Sequence, residues 1–128
     1  MTSTEYLSTY IKKLSHPIRE IRERSLQLLV TKLRLGWEIE DELSGTRELL
    51  EALLAWFHVQ QPTLQREALQ LLLSIVKTKA GNYVVKEYGV KRLISKLDAV
   101  KHKLEQEACD TFQDLLETIQ FLNTIEEE

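Results

Sequence analysis

"RERSLQLLV" at residues 22–30 is echoed by "QREALQLLL" at 65–73 and, more faintly, by "EQEACDTFQ" at 105–113. The offsets are 43 and 40 residues, and they hold at further positions. Ile21 aligns with Leu64 and Leu104, and Ser25 with Ala68 and Ala108. Leu26 aligns with Leu69 and Cys109, Leu29 with Leu72 and Phe112, and Leu33 with Val76 and Leu116. In each copy these positions are spaced i, i+4, i+5, i+8 and i+12, which is one face of an α-helix. The column of Ser25, Ala68 and Ala108 is small throughout, so a neighbouring helix is expected to pass close there. Cys109 falls in a core column and reads as a small buried hydrophobe.

Outward from these stretches only helix periods appear. "TSTE" at 2–5 has the form of a capping box, with Thr2 as the cap and Glu5 reaching back. A first helix is expected over 4–14, with Tyr6, Leu7, Tyr10, Ile11 and Leu14 at spacings of three and four. Pro17 suits the first turn of a second, which runs to about Leu35 and stops at Gly36. Residues 37–45 read as a short helix or a loop. The pattern resumes at Thr46 and breaks at "QQP", and Pro62 opens a long helix to about Thr78. A short helix over 80–88, Gly89 and a helix over 90–97 follow, and Asp98 is placed to cap a last helix over about 100–121.

Each long helix is thus preceded by a shorter amphipathic one. A helix-pair unit of roughly 40–47 residues marks armadillo and HEAT arrays. The short helix at 80–88, set off by a glycine, looks like the three-helix armadillo version. The fold expected is all-α, an armadillo/HEAT-like right-handed α-solenoid of about two and a half to three repeats over residues 1–122. The acidic end, 123–128, is expected to fray.

The chain has 128 residues, one natural domain, with 43% hydrophobic and 29% charged residues. Cys109 is its one cysteine, so no intrachain disulfide forms, which fits a reducing compartment. No apolar run approaches the roughly 20 residues of a membrane span, and the N-terminal stretch does not read as a signal peptide. The net charge of −3 hides blocks of +4 (1–36), −5 (37–76), +6 (77–103) and −8 (104–128). Opposite charges on solvated helix faces account for much of this.

Chemistry is sparse. His16 precedes Pro17 at a helix start, and His58 and His102 lie just outside helix faces. No two histidines stand at i, i+4, and no phosphate loop or nucleophile elbow occurs, so no catalytic residue, metal site or cofactor is assigned. The acidic last helix argues against a nucleic-acid backbone as ligand. Protein binding remains, because helical arrays leave extended surfaces and open ends. The candidate contacts are a face made by His16, Arg19, Arg22 and Arg24 with Glu20 and Glu23, and the aromatic Trp37. A basic surface at Lys86, Lys91, Arg92 and Lys96 is suited to an acidic partner. Trp56 and Phe57 continue an apolar stripe and are expected in the core. An open solenoid end could also let the chain dimerise weakly.

The stretch "IKKLSHPIREIRERSLQLLVTKL" at 11–33 resembles the extreme N-terminus of the rotatin family, where a Lys-Leu-x-His motif leads into a Glu-Ile-Arg-x-Arg-small-Leu helix. The matching residues are Lys13, Leu14, His16, Glu20, Ile21, Arg22, Arg24, Ser25 and Leu26. "LLAWF" at 53–57 and "YGVKRLISKL" at 88–97 are similar to later family segments; 36–47 carries none of its features. The resemblance implies the N-terminal domain of a much longer, non-enzymatic armadillo-type scaffold of centrioles and ciliary basal bodies. Its partners would be other centriolar scaffold proteins, and its place the cytoplasm, cytoskeleton and centrosome. Without the resemblance, the repeat alone would suit an armadillo/HEAT adaptor in transport or signalling. A cargo carrier would present a ladder of Trp and Asn on successive units, and tryptophan occurs only at 37 and 56.

Overall fold

A computed structural model describes residues 6–127. Every regular element among them is helical: α1 (Leu7–Lys13), α2 (Arg19–Arg34), α3 (Glu42–Trp56), α4 (Gln65–Val76), α5 (Lys79–Tyr88), α6 (Val90–Val100) and α7 (Cys109–Glu127). Two 3-10 turns, Lys101–Lys103 and Gln106–Ala108, join α6 to α7. The helices stack in two layers. In one, α4 lies between α2 and α7 and packs on both; in the other, α1 packs on α3, α3 on α5, and α5 on α6. The layers meet where α1 covers α2, α3 and α5 cover α4, and α6 covers α7.

The small column is buried on α2, on α4 and in the turn that leads into α7. Ser25, Ala68 and Ala108 are all buried, as are Leu29, Leu72 and Phe112 one turn further on. Trp56 and Phe57 are in the core as expected. Cys109 is not: it is exposed. The reason is the late start of α7. Leu104 is extended at ψ 136°, so the chain leaves the helical path after α6 and re-enters it only through the turn ending at Ala108. Cys109 then opens the helix on its outer side, its Sγ 3.5 Å from the Glu105 carbonyl oxygen. Asp98 caps nothing, since it lies on the exposed side inside α6.

Two glycine stops are as expected. Gly36 has φ +94°, its N–H donates to the Leu33 carbonyl (3.1 Å), and Trp37 N–H donates to Lys32 (3.0 Å). That pairing is a Schellman motif closing α2. Gly89, at φ +104°, separates α5 from α6. A third glycine has a different task. A Cβ on Gly81 would overlap the Ile75 carbonyl oxygen, so its bare backbone lets α5 start hard against the end of α4. Thr78 completes that corner, accepting from Gly81 N–H at 2.9 Å and donating to Ile75 O at 2.7 Å.

Other starts differ from the sequence reading. Helix α2 opens at Arg19 rather than Pro17. Helix α3 begins four residues before Thr46, because Asp41 caps it by accepting from Ser44 N–H (3.4 Å). Helix α4 begins at Gln65 rather than Pro62, because Leu64 is left-handed at φ +48°. The turn before α4 is held by side chains: Trp56 Nε1 donates to Thr63 O (2.7 Å) and Gln65 Nε2 to Pro62 O (3.0 Å). Gln65 is itself buried, and it also donates to Lys103 O (2.8 Å) and accepts from Glu105 N–H (2.7 Å). One satisfied amide thus ties the start of α4 to the connection before α7.

The expected Thr2–Glu5 capping box lies outside the described residues. The N-cap residue of α1, Tyr6, makes no side-chain cap hydrogen bond; Glu40, 33 positions on, accepts from Leu7 N–H (2.8 Å) and Ser8 N–H (3.3 Å). Desolvation works to raise the Glu40 pKa, but hydrogen bonds from the Ser8 side chain and nearby backbone N–H groups hold it below the usual glutamate value.

Two outcomes follow from this packing. Ala68→Leu overfills the approach of the long helices and should cost about 1–3 kcal/mol in chemical denaturation; an unchanged midpoint would remove the small column from the account. A lowered folded pKa means that Glu40 contributes stability above the ordinary carboxylate range and loses it as pH falls through the folded value. Glu40→Gln should therefore be less stable than wild type at pH 7 by about 0.5 kcal/mol, the scale of a charge at an exposed helix terminus. The two curves should converge as pH falls through the lowered folded value of Glu40; a gap that persists in acid would contradict the clasp.

Candidate protein-binding site

The turn from α1 to α2 positions the first group of candidates. His16 is half-buried, and its Nδ1 accepts from Ile18 N–H at 3.0 Å, which fixes the turn ahead of α2. Arg22 reaches back over the same turn and donates to the carbonyls of His16 (2.8 Å) and Pro17 (3.0 Å). Arg19 pairs with Glu23 at 3.7 Å, and Glu23 in turn accepts a very short hydrogen bond from the Thr63 hydroxyl. Arg19–Glu23 is thus an ion pair on α2, one position offset from the Glu20–Arg24 pair that the i, i+4 spacing also allows. Between this turn and the 59–63 loop lies a cleft of about 430 Å³, lined by His16, Arg19, Arg22, Trp56, Val59 and Thr63 among others.

Arg24 does not join that cleft. It faces a separate groove of about 620 Å³ between α1 and α2, with Tyr10, Lys13, Ile21, Leu28 and Lys32. His16 borders both. Trp37 lies beyond the far end of α2, 38% exposed, with Lys32 Nζ 4.0 Å from its ring centre. It borders a third pocket, of about 240 Å³, with Glu38, Ile39 and Glu42.

The basic candidates Lys86, Lys91, Arg92 and Lys96 are all exposed on α5 and α6, in the other layer from α2. Arg92 stacks on Tyr88 at 4.1 Å, and the neighbouring Arg47–Glu87 pair (2.7 Å) brings a carboxylate into the patch. Lys103, at the end of the same basic run, is turned inward: its Nζ donates to Phe57 O (2.7 Å) and Val59 O (3.3 Å), answering the open carbonyls at the end of α3. The nine candidates thus form no single site.

Sequence reading placed Glu23 on the α2 face but missed Gln61 and Thr63 as walls of the first cleft, and Glu40 as the clasp on α1. Thr63 is 40 positions from Glu23, and no local pattern pairs them. The acidic cluster "EIED" at 38–41 was the available signal for Glu40. Among the described residues no group of three or more His, Cys, Asp or Glu could hold a metal ion, and no helix is long and apolar enough to cross a membrane.

A family model described as "Rotatin, an armadillo repeat protein, centriole functioning" matches residues 20–119. The chain belongs to the rotatin family. Human and mouse rotatin are each 32% identical to it over 91 residues, which is 71% of this chain and 4% of either relative. The chain therefore spans a small fraction of the length of the curated relatives it matches. No solved structure matches it. The rotatin match covers α2 through most of α7 and so includes every candidate residue except His16 and Arg19.

The geometry separates two arginines that look alike in sequence. Arg22→Ala removes the donor that closes the turn and should lower stability by about 1 kcal/mol. Arg24→Ala should stay within about 0.5 kcal/mol of wild type, as an exposed substitution does. Equal losses in urea denaturation would show that Arg22 is not a structural link.

Proposed function

We propose that this domain is a non-enzymatic docking module of a centriole and basal-body scaffold, built from two and a half to three armadillo-like units in a right-handed stack. The observation that carries the reading is the family match over 20–119, whose description names centriole function. The two-layer helix stack supports it, because such arrays present long surfaces without a closed catalytic cavity. The clefts point the same way. Each is open and bordered by arginine, lysine or tryptophan, which suits recognition of protein surfaces. The partners would be other scaffold proteins of the centriole, and the site of action the centrosome and the ciliary base.

The test is imaging of tagged residues 1–122 in ciliated cells beside a centriole marker. A focal signal on the marker is expected, and Arg24→Glu with Trp37→Ala should disperse it while leaving the far-UV circular dichroism of the purified domain unchanged. Diffuse signal from the wild-type domain, together with normal centrioles when the same two substitutions are placed in the full-length parent, would overturn the docking role.

A further inference from the structure

We propose that two copies of this chain associate head to tail, the outer face of α7 on one copy seating in the groove between α1 and α2 of the other. The groove is basic with an apolar floor. Lys13 and Arg24 are exposed at its edges, Lys32 lies along it, and Tyr10, Ile21 and Leu28 are half-buried within it. None of the described residues that line it is acidic. Its α2 wall, residues 21–32, is eleven steps long, or about 16 Å at the helical rise.

Helix α7 carries the complement. Asp110, Asp114, Glu117 and Phe121 are exposed, and their spacing of four, three and four residues puts them on one stripe. Residues 109–127 contain no lysine or arginine. Phe121 is 64% exposed, large and apolar, at one end of the three carboxylates. Asp110 to Phe121 is again eleven steps, about 16 Å, so the stripe matches the groove in length as well as in charge. The opposite side of α7, with Phe112, Leu115 and Ile119, is buried against the domain, so the stripe faces away from the core.

Charge complementarity over a patch of this size steers encounter and fixes register, and an aromatic anchor in an apolar floor supplies the contact that salt does not screen. The two surfaces differ, so the contact is heterologous. It leaves a free groove at one end of each pair and a free stripe at the other, and a row of copies can grow.

The experiment is sedimentation velocity of the full 128-residue chain against concentration. At low salt the weight-average mass should rise with concentration, and moving to about 0.3 M salt should weaken association roughly tenfold. Phe121→Ala should weaken it by a similar factor at either salt. Two double variants then identify the surfaces: Lys13→Glu with Arg24→Glu in the groove, and Asp110→Lys with Asp114→Lys on α7. Each should be monomeric alone with unchanged helix content, and mixing the two should restore association. A wild-type chain that stays monomeric up to about 1 mM at low salt, a concentration at which even a weak contact is populated, would overturn the proposal. So would double variants that associate like wild type, or a mixture that stays monomeric.

Discussion

The close approach of α4 to α2 on one side and to α7 on the other is the constraint on which the fold depends. Three small side chains, Ser25 on α2, Ala68 on α4 and Ala108 in the turn that leads into α7, recur in these elements, and all are buried. Larger residues there would separate the helices and open voids beside the leucines of the next turn. Protein interiors are packed too densely to absorb such a shift without cost. The second layer follows from the first, since α3 and α5 can both lie on α4 only while its neighbours hold it in place.

Polar side chains then fix what the apolar faces leave free. A hydrophobic stripe tells a helix which side to bury but not where along its length to start. Here starts are set by single polar groups: Asp41 on α3 and Thr78 on α5 act from the cap position, while Glu40 on α1 and the buried Gln65 at the head of α4 act across the chain. Gln65 has the largest reach. Its amide touches the turn before its own helix and the connection before α7, so loops from two successive units are held by one residue.

This division explains what was legible in the sequence. The stripes of α2 and α4, the stops at Gly36 and Gly89 and the core positions of Trp56 and Phe57 depend on local periodicity, and the structure keeps them. The starts of α4 and α7 depend on contacts that no local window contains, whereas α3 starts at a local cap, Asp41, that the helix stripe alone does not mark. Leu64 takes a left-handed conformation that leucine rarely adopts, so "QQPTLQ" gives no sign that the helix waits until Gln65. Cys109 shows the same effect at a candidate residue. The repeat register places it in the core, but the two turns before α7 restart the helix, and Ala108 takes the buried position alone.

The same distinction orders the charges, which carry any reading of function. A run of basic residues looks uniform in sequence, yet its members are not equivalent once folded. Lys103 answers the carbonyls at the end of α3 and Arg22 those of the turn before α2. Their donors are directed into the domain, so a partner would compete with the fold to reach them. Arg24, Lys13, Lys91 and Lys96 are exposed, and among the described residues no such hydrogen bond holds them. In the docking role proposed above, recognition would fall to the second set. Because that set lies in separate places on both layers, the proposed role is one of holding several surfaces in a fixed relation rather than enclosing one ligand.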